Sequence, residues 1–414
     1  ALTGNWAPEG DIAQTKYAAI YGQLQQAPEE KQISKLKDDI KELVRNQSPL
    51  MRETQQMLRD WEAGLPEVIS LWQTMNAWVY SGFEKTYARL GVSFDQYYYE
   101  SNTYKLGKDV VDEGLQSGVF YRKADGSVWI DLREDGLDEK LVLRGDGTSV
   151  YITQDIGTAD LKFQQHHVDQ SIYVVGNEQD YHFKVLFLIM KKLGRPFADG
   201  MHHLSYGMVD LPSGKMKSRE GTVVDADELV QEMVDEAKAK TIELGKTEGL
   251  VDAKLANLYE SLGLSALKFF ILKVDPRKRM LFNPQESIDF QGDTGPFIQY
   301  TYARIQSILR SAGEGDWQTS EINSALLPVE IETIQTLYRY PEEVNKACNE
   351  SSPAVICQYA IDLARTFNRF YNECHIMRET DSIVKNTRLK LAYHTAHTLK
   401  HTLGLLGIEV VERM

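Results

Sequence analysis

The protein has 414 residues, of which 42% are hydrophobic and 26% charged, and its formal net charge is −14. These proportions are those of a globular protein, and the length predicts two or three domains. The acidic excess argues against a protein that coats nucleic acid non-specifically. It does not exclude nucleic acid as a partner, because a local basic surface can do the binding.

The three cysteines are Cys348, Cys357 and Cys374, and they lie near one end of the chain. They show no metal-type spacing, so we expect reduced thiols in a cytoplasmic protein and no protein-bound structural metal. No uninterrupted apolar run reaches the length of a membrane span, and no signal-peptide pattern is present. The sequence therefore predicts no membrane partner.

The first ninety residues predict helices. An apolar stripe at three-to-four spacing runs through EEKQISKLKDDIKELVRN. In the next stretch, Ser48 and Pro49 are typical of a helix start and Gly64 of its end. A further helix carries apolar and aromatic residues on one face, for which the simplest interpretation is core packing. These residues are Leu71, Met75, Trp78 and Val79.

After residue 117 the pattern changes to short strands. Asp125-Gly126 predicts a hairpin turn because this dipeptide tolerates positive φ, and Gly145-Asp146-Gly147 predicts another. A helical stretch near residues 155 to 166 follows, then the strand SIYVVG, the helix DYHFKVLFLIMKKLG and a strand around LSYGMVDL. Strand–helix–strand alternation with short connections indicates a parallel sheet covered by helices. Only two or three such strands are visible, which suggests half of a nucleotide-binding sheet.

From Asp225 to the end the sequence is typical of helices. The stretch KVDPRKRMLFNPQESIDFQGDTGP, with three prolines, is a plausible domain joint. The last hundred residues contain two amphipathic helices, which predict a helix bundle.

A basic stretch interrupts this acidic chain at residues 212–223, which read PSGKMKSREGTV. It would lie beyond the carboxyl end of a sheet strand, where ligands of open α/β sheets bind, and lysine ammonium groups suit phosphate oxygens. Taken alone, such a loop is more often a solvated turn. It is not a Walker loop, and no glycine-rich dinucleotide fingerprint is present.

The surrounding residues resemble a known family. KMKSR resembles the KMSKS loop of class I aminoacyl-tRNA synthetases, and GMVDLPSGKMKSREGTVV is similar to the arginyl-tRNA synthetase version. Further similar stretches follow in the right order: DEGLQSGVFYRKADGSVWIDL, LRGDGTSVYITQDIGTADLKF, YVVGNEQDYHFKVLF and GDTGPFIQYTYARIQSIL.

The resemblance implies an α/β plus all-α protein. Its parts would be the C-terminal part of a class I Rossmann-type catalytic domain and an α-helical-bundle anticodon-binding domain. We predict the catalytic part at residues 1–225, a helical connecting region at 226–284 and the bundle at 285–414.

The resemblance also implies how the basic loop works. In the family, its lysines stabilise the ATP phosphates as pyrophosphate leaves, and the corresponding residues here are Lys215, Lys217 and Ser218. Lys217 and Ser218 stand where the common motif has Ser and Lys, so the main contact could come from Lys215, Lys217 or Arg219. The residues expected to bind ATP are Lys215, Met216, His203, Asp180 and His182. For the histidines, a purely structural role within the fold is at least as well supported.

An arginine substrate requires a site for a planar cation, such as a carboxylate in fork geometry with an aromatic face. Tyr151, Asp155 and Gln179 match the arginine-binding Tyr, Asp and Gln of the family. Without the family, Asp155 would be interpreted as a helix N-cap.

Anticodon bases require aromatic platforms and cations. Tyr300 and Arg304 lie one helical turn apart, and Tyr371 and His375 have the same spacing. They match anticodon-contacting positions of the family, as does the terminal Met414. Taken singly, each could be an ordinary surface or core residue.

The resemblance implies ATP-dependent attachment of L-arginine to tRNA(Arg) through arginyl-adenylate, with Mg²⁺ accompanying ATP, by a cytoplasmic monomer. The HIGH motif of class I synthetases, His-x-Gly-His in form, is absent from the sequence. We therefore expect a C-terminal fragment of a longer synthetase that does not arginylate tRNA alone.

Two alternatives remain open at this point. One is a different HIGH-type nucleotidyltransferase or class I synthetase, which would share the basic loop but not the arginine-binding residues. The other is a non-catalytic tRNA- or RNA-binding module derived from a synthetase.

Overall fold

The computed structural model divides the chain into two compact units, Ala1–Val92 and Ser93–Met414, which we treat separately. The residues that it describes are 11–26, 30–103, 106–210, 225–245, 252–290, 292–319 and 325–414. The domain limits expected at 225 and 284 stay predictions.

Helices dominate the described residues. They are α1 (Asp11–Gln26), α2 (Glu30–Gln47), α3 (Pro49–Glu62), α4 (Pro66–Leu90), α5 (Glu100–Thr103), α6 (Gly107–Gln116), α7 (Tyr151–His166), α8 (Asp180–Lys192), α9 (Ala226–Glu243), α10 (Asp252–Leu272), α11 (Pro284–Ser287), α12 (Gly295–Ala312), α13 (Pro328–Tyr338), α14 (Tyr340–Glu350), α15 (Pro353–Glu373) and α16 (Ser382–Leu405). The strands are β1 (Tyr121–Arg122), β2 (Val128–Ile130), β3 (Lys140–Leu143), β4 (Ser171–Gly176), β5 (Met201–Tyr206), β6 (Val209–Asp210) and β7 (Met280–Leu281).

The first unit contains helices α1 to α4, in agreement with the helices predicted for the first ninety residues. Helix α3 begins at Pro49, as expected, but the Ser48 side chain makes no capping hydrogen bond. The expectation that the aromatic face of α4 lies in a core is wrong. No described residue of α4 is buried, and Trp78 is 69% exposed. Leu71, Met75 and Val79 are also exposed.

The first hairpin forms as predicted. Strands β1 and β2 are antiparallel and Gly126 takes φ +85° at the turn. The second predicted hairpin is reduced to one bridge between Leu143 and Ser149. The reason is the start of α7, since the Val150 N–H donates to the Thr153 hydroxyl and thereby begins the helix four residues before the predicted position.

Strands β4 and β5 are parallel and are connected by α8, which confirms the predicted strand–helix–strand unit. Ile156 of α7 and Leu186 and Ile189 of α8 are fully buried in the hydrophobic core of this region. Ile172 and Val174, at alternate positions of β4, remain half or more exposed. The sheet therefore has one covered face and one apolar face open to solvent.

The predicted joint contains a strand that sequence analysis did not anticipate. Strand β7 pairs in parallel with β6, and the Arg279 side chain beside it binds the Asp210 carboxylate. This pairing connects the sheet region to the helical region.

Helices α12, α15 and α16 share a core with fully buried Phe367, Phe370 and Leu399. This confirms the predicted helix bundle. Arg388 of α16 lies inside the same region and donates to Glu330 of α13 (2.7 Å) and to Glu379 (2.8 Å). Glu330 is only 1% exposed, so the ion pair is buried and joins two helices.

Among the described residues, one segment passes a length and hydropathy test for a membrane span, Ala253–Leu272, with a mean hydropathy of 1.2. It lies in α10, where Leu262, Ala266 and Phe269 are fully buried. Burial of this kind is typical of the core helix of a globular domain.

Candidate functional site

The predicted arginine-binding residues surround the start of α7 and the end of β4. Tyr151 is the first residue of α7 and is 77% exposed, and Asp155 follows one turn later on the same side. Gln179 ends the 3-10 turn that follows β4. Asp155 is therefore inside the helix and does not cap it.

His182, on the first turn of α8, connects these elements. Its Nε2 lies 2.6 Å from Oδ2 of Asp155. The other oxygen of Asp155, Oδ1, has no hydrogen-bond partner within the described residues. A half-exposed carboxylate held by one oxygen keeps a second oxygen for a cationic ligand.

A lysine lies behind this carboxylate. The Lys162 ammonium stands 3.9 Å from the ring centre of Tyr173, and burial lowers the pKa of Lys162, partly offset by the charge of Asp155. Burial raises the pKa of Tyr173 to about 12, so its hydroxyl is neutral at physiological pH. Desolvation thus disfavours the charged form of Lys162, and the negative charge of Asp155 favours it.

Two of the residues predicted to bind ATP, Asp180 and His203, form a second cluster beyond the carboxyl end of β4, whereas His182 lies at Asp155. Ser205 donates to Asp180 Oδ1 (2.6 Å), and His203 Nδ1 lies 3.4 Å from the same oxygen. The His203 Nε2 is 2.9 Å from the carbonyl oxygen of Val175, and its ring packs on Phe183. His203 thus has partners on both nitrogens within the fold. Among the described residues, no group of three or more His, Cys, Asp or Glu could hold a metal ion.

The basic loop lies outside the described residues. Lys215, Met216, Lys217 and Ser218 therefore have no structural description here, and their roles stay predictions.

The predicted tRNA-binding residues of α12 and α15 come together. The Arg304 guanidinium lies 4.7 Å from the ring centre of Tyr300 and 5.4 Å from that of Tyr371. Arg304 also donates to Asn368 Oδ1, and the Asn368 amide donates to Thr301 Oγ1 (2.9 Å). The Arg304 guanidinium therefore lies near two aromatic rings, and Asn368, itself hydrogen-bonded to Thr301, holds it there.

His375 is placed differently from the expectation. Helix α15 ends at Glu373, and Cys374 is extended, so Tyr371 and His375 are not one helical turn apart. They nevertheless line one open cavity of about 320 Å³. The cavity is completed by Ile308, Asn372, Ile376, Met377 and Arg378. Met414 is half-buried at the end of the chain.

Sequence analysis missed Asn368, Arg378 and the partner of His182. Asn368 is four residues after Ala364, on the side of α15 that faces α12, but nothing in the sequence indicates that it holds Arg304. A histidine and an aspartate 27 residues apart carry no local signal, because only the β4–α8 turn brings them together.

Two family models match the chain. Residues 16–283 match "tRNA synthetases class I (R), catalytic domain", and residues 298–414 match "DALR anticodon binding domain". These matches identify the strand–helix–strand region and the helix bundle as parts of a class I tRNA synthetase.

The similar proteins below are all named as arginine enzymes of this class. An arginine–tRNA ligase of Flavobacterium psychrophilum is 56% identical over 92% of this chain and 63% of its own length. One of Amoebophilus asiaticus is 54% identical over 90% of this chain and 63% of its own length. The solved arginyl-tRNA synthetase of Thermus thermophilus has a TM-score of 0.73 at 25% identity, over 95% of this chain and 69% of that one.

The chain belongs to the R-type class I tRNA synthetases, R being the one-letter code of arginine. It spans about 63% of the length of the two ligases. The predicted fold class is confirmed. The arginine-type matches support neither a different nucleotidyltransferase or class I synthetase nor a non-catalytic module derived from a synthetase.

Proposed function

We propose that this chain serves ATP-dependent attachment of L-arginine to tRNA(Arg), through arginyl-adenylate. The observation that carries the proposal is the pairing of Asp155 with His182 beside the exposed Tyr151, in a chain whose catalytic-domain match is of the arginine type.

Arginine recognition follows from the geometry of α7. The guanidinium would bind the unpaired Oδ1 of Asp155, and the exposed Tyr151 ring offers a face on which a planar cation can stack. Gln179 would add a polar contact from the end of β4. His182 has the role of holding the carboxylate, since its imidazole is hydrogen-bonded to Oδ2 of Asp155.

The nucleotide would bind near Asp180 and His203, beyond the carboxyl end of the parallel strands. ATP would bring Mg²⁺ as part of the substrate. Lys215, Met216, Lys217 and Ser218 would contact the phosphates, because phosphate displacement needs positioning and charge stabilisation.

The helix bundle would read the anticodon. Tyr300, Tyr371 and the Arg304 between them offer two stacking faces and a cation, the combination that unstacked RNA bases require. His375 and Met414 would add contacts at the neighbouring cavity and at the chain end. We propose a cytoplasmic monomer with no membrane partner.

The experiment is a titration of the chain with tRNA(Arg) and with an unrelated tRNA at one stated salt concentration, since such affinities depend strongly on salt. We expect preferential binding of tRNA(Arg) that is lost in Arg304→Ala. The matched control is Arg369→Ala, which removes an exposed arginine of α15 bound to Glu332 of α13 and Glu373 of α15. Equal binding of both tRNAs by the unchanged chain would contradict the anticodon assignment.

Arginine binding is measured separately by calorimetry, with citrulline as the neutral ligand of matched shape. We expect heat with arginine and none with citrulline, because the carboxylate of Asp155 requires a cation. Equal heats would reject Asp155 as the arginine-recognising group.

A further inference from the structure

The last residues of the chain, 406–414, form a segment that we name the C-terminal tail. It follows α16 and packs by Leu406 and Ile408 into the core of the bundle, where each is at most 6% exposed. Its polar contacts come from outside the tail and are made to its backbone.

Three side chains donate hydrogen bonds to carbonyl oxygens of the tail. Lys268 of α10 donates to Gly407, Gln299 of α12 donates to Glu409 (2.7 Å) and Arg310 of α12 donates to Glu412 (3.0 Å). These donors we name the tail clamp.

Gln299 is fully buried, and its amide has two N–H groups, both in use. One donates to Glu409 and the other to the Ser261 hydroxyl of α10 (3.1 Å). Its bonds to α10 and to the tail therefore fix the orientation of the Gln299 amide. The tail backbone at Glu409 is thus attached to a side chain that is itself held in the core.

The clamp determines the direction of the tail. Gln299 and Arg310 are eleven residues apart, which is about three helical turns, so both lie on one side of α12. The tail contacts Gln299 first and Arg310 three residues later, and therefore runs alongside α12 toward its C-terminal end. Tyr300 and Arg304 lie on the adjacent side of the same helix, about 100° further round.

We propose that Gln299 and Arg310 are positioning residues that hold the C-terminal tail along α12 so that Met414 contacts tRNA. This inference rests on the proposed function, because it needs the bundle to bind tRNA(Arg). It gives Arg310 an indirect role through the Glu412 carbonyl, in place of a direct bond to phosphate.

The test compares three variants of the full chain in the tRNA titration: Arg310→Ala, removal of residues 412–414, and both changes together. We expect Arg310→Ala and the truncation each to weaken tRNA(Arg) binding by up to about tenfold, the scale of one hydrogen-bonded contact. The combined variant should bind as the truncated chain does, because the arginine then has no carbonyl to hold.

The salt dependence separates the clamp from a direct contact. Loss of a phosphate contact lowers the slope of log K against log salt by about 1, whereas loss of a positioning bond leaves the slope unchanged. An Arg310→Ala chain with a lowered slope, or with its full effect retained after truncation, would overturn the inference.

Gln299→Met provides a second test without removing a charge, since a fully buried side chain cannot contact RNA. A thermal unfolding transition must show that Gln299→Met folds. Arg369→Ala serves as the charge control for Arg310→Ala. A folded Gln299→Met chain with unchanged tRNA(Arg) binding would also overturn the inference. Equal binding of both tRNAs by the unchanged chain would contradict the proposed anticodon reading, a result distinct from these.

Discussion

The sheet region around β4 and β5 and the helix bundle around α12 and α15 arrange their functional side chains in different ways. In the bundle, Arg304 is enclosed by two tyrosine rings and held by Asn368. In the sheet region, Tyr151 extends into solvent, and the one hydrogen-bond partner of the Asp155 carboxylate among the described residues is His182.

The difference shows that the two sites are prepared to different degrees before a ligand binds. In the proposed tRNA site of the bundle the cation is already ordered, so binding of tRNA there should require little rearrangement. The Tyr151 ring has no comparable support and must lose rotamer freedom when arginine binds. The predictions below test this contrast from the largest expected effect to the smallest.

The largest expected effect is the loss of stability of the bundle when its buried ion pair between Arg388 and Glu330 is broken. Glu330→Ala leaves the Arg388 guanidinium buried beside Glu379 alone, and removal of one partner of a buried pair costs about 3–5 kcal/mol of unfolding free energy. Chemical denaturation monitored by circular dichroism measures this loss. Glu332→Ala, whose partner Arg369 is exposed, is the control and should cost far less. Equal losses would show that burial of the pair has no energetic weight.

The sheet site should lose arginine when the charge of Asp155 is removed. Asp155→Asn keeps the shape of the side chain but replaces a charged acceptor, which costs about 1.5–3 kcal/mol, or roughly 10- to 150-fold in Kd. Calorimetry with L-arginine measures the change. Asp180→Asn is the control and should leave arginine affinity nearly unaltered, because Asp180 pairs with Ser205. A larger loss in the control would place the guanidinium at Asp180.

The orientation of Arg304 in the bundle before tRNA binds depends on its hydrogen bond to Asn368. Asn368→Ala should weaken tRNA(Arg) binding by about three- to tenfold, because Arg304 keeps its charge and loses only the hydrogen bond that orients it. The tRNA titration measures the change, and Gln358→Ala, an exposed amide on the same helix, is the control. Unchanged affinity would show that the two tyrosines suffice to hold the cation.

The smallest expected effect is the reaction of the cysteine thiols with an alkylating reagent, which tests whether the bundle core opens to solvent. Burial raises the pKa of Cys357 to about 12 and also raises that of Cys374, and it shields both thiols from reagents. Cys348 is exposed. Iodoacetamide should therefore modify one thiol per native chain and three after unfolding, as measured by mass spectrometry. Modification of Cys357 in the native chain would show that the bundle opens.

Sequence analysis best predicted which side chains lie close together where both residues belong to one helix. Tyr300 and Arg304 lie on one turn of α12, so periodicity alone places them together. The start of α7 was misplaced by four residues because the hydroxyl of Thr153, a residue common in strands, serves as its capping acceptor. The partnership of Asp155 and His182 depends on the β4–α8 connection and could not be read from local spacing.

The same limit explains α4 and His375. An apolar stripe indicates which side of a helix prefers burial but does not identify a partner, and Trp78 remains exposed. Periodicity also does not show where a helix ends, and α15 stops two residues before His375.

The open face of the β4–β5 sheet has a consequence for handling the protein. Ile172 and Val174 present branched apolar side chains to water on an edge strand, and such surfaces promote contact between molecules. Light scattering of the isolated chain should therefore rise with protein concentration and with added sulfate, which strengthens apolar association. Val174→Lys should suppress this clustering, because a charge on an edge strand opposes the approach of a second sheet.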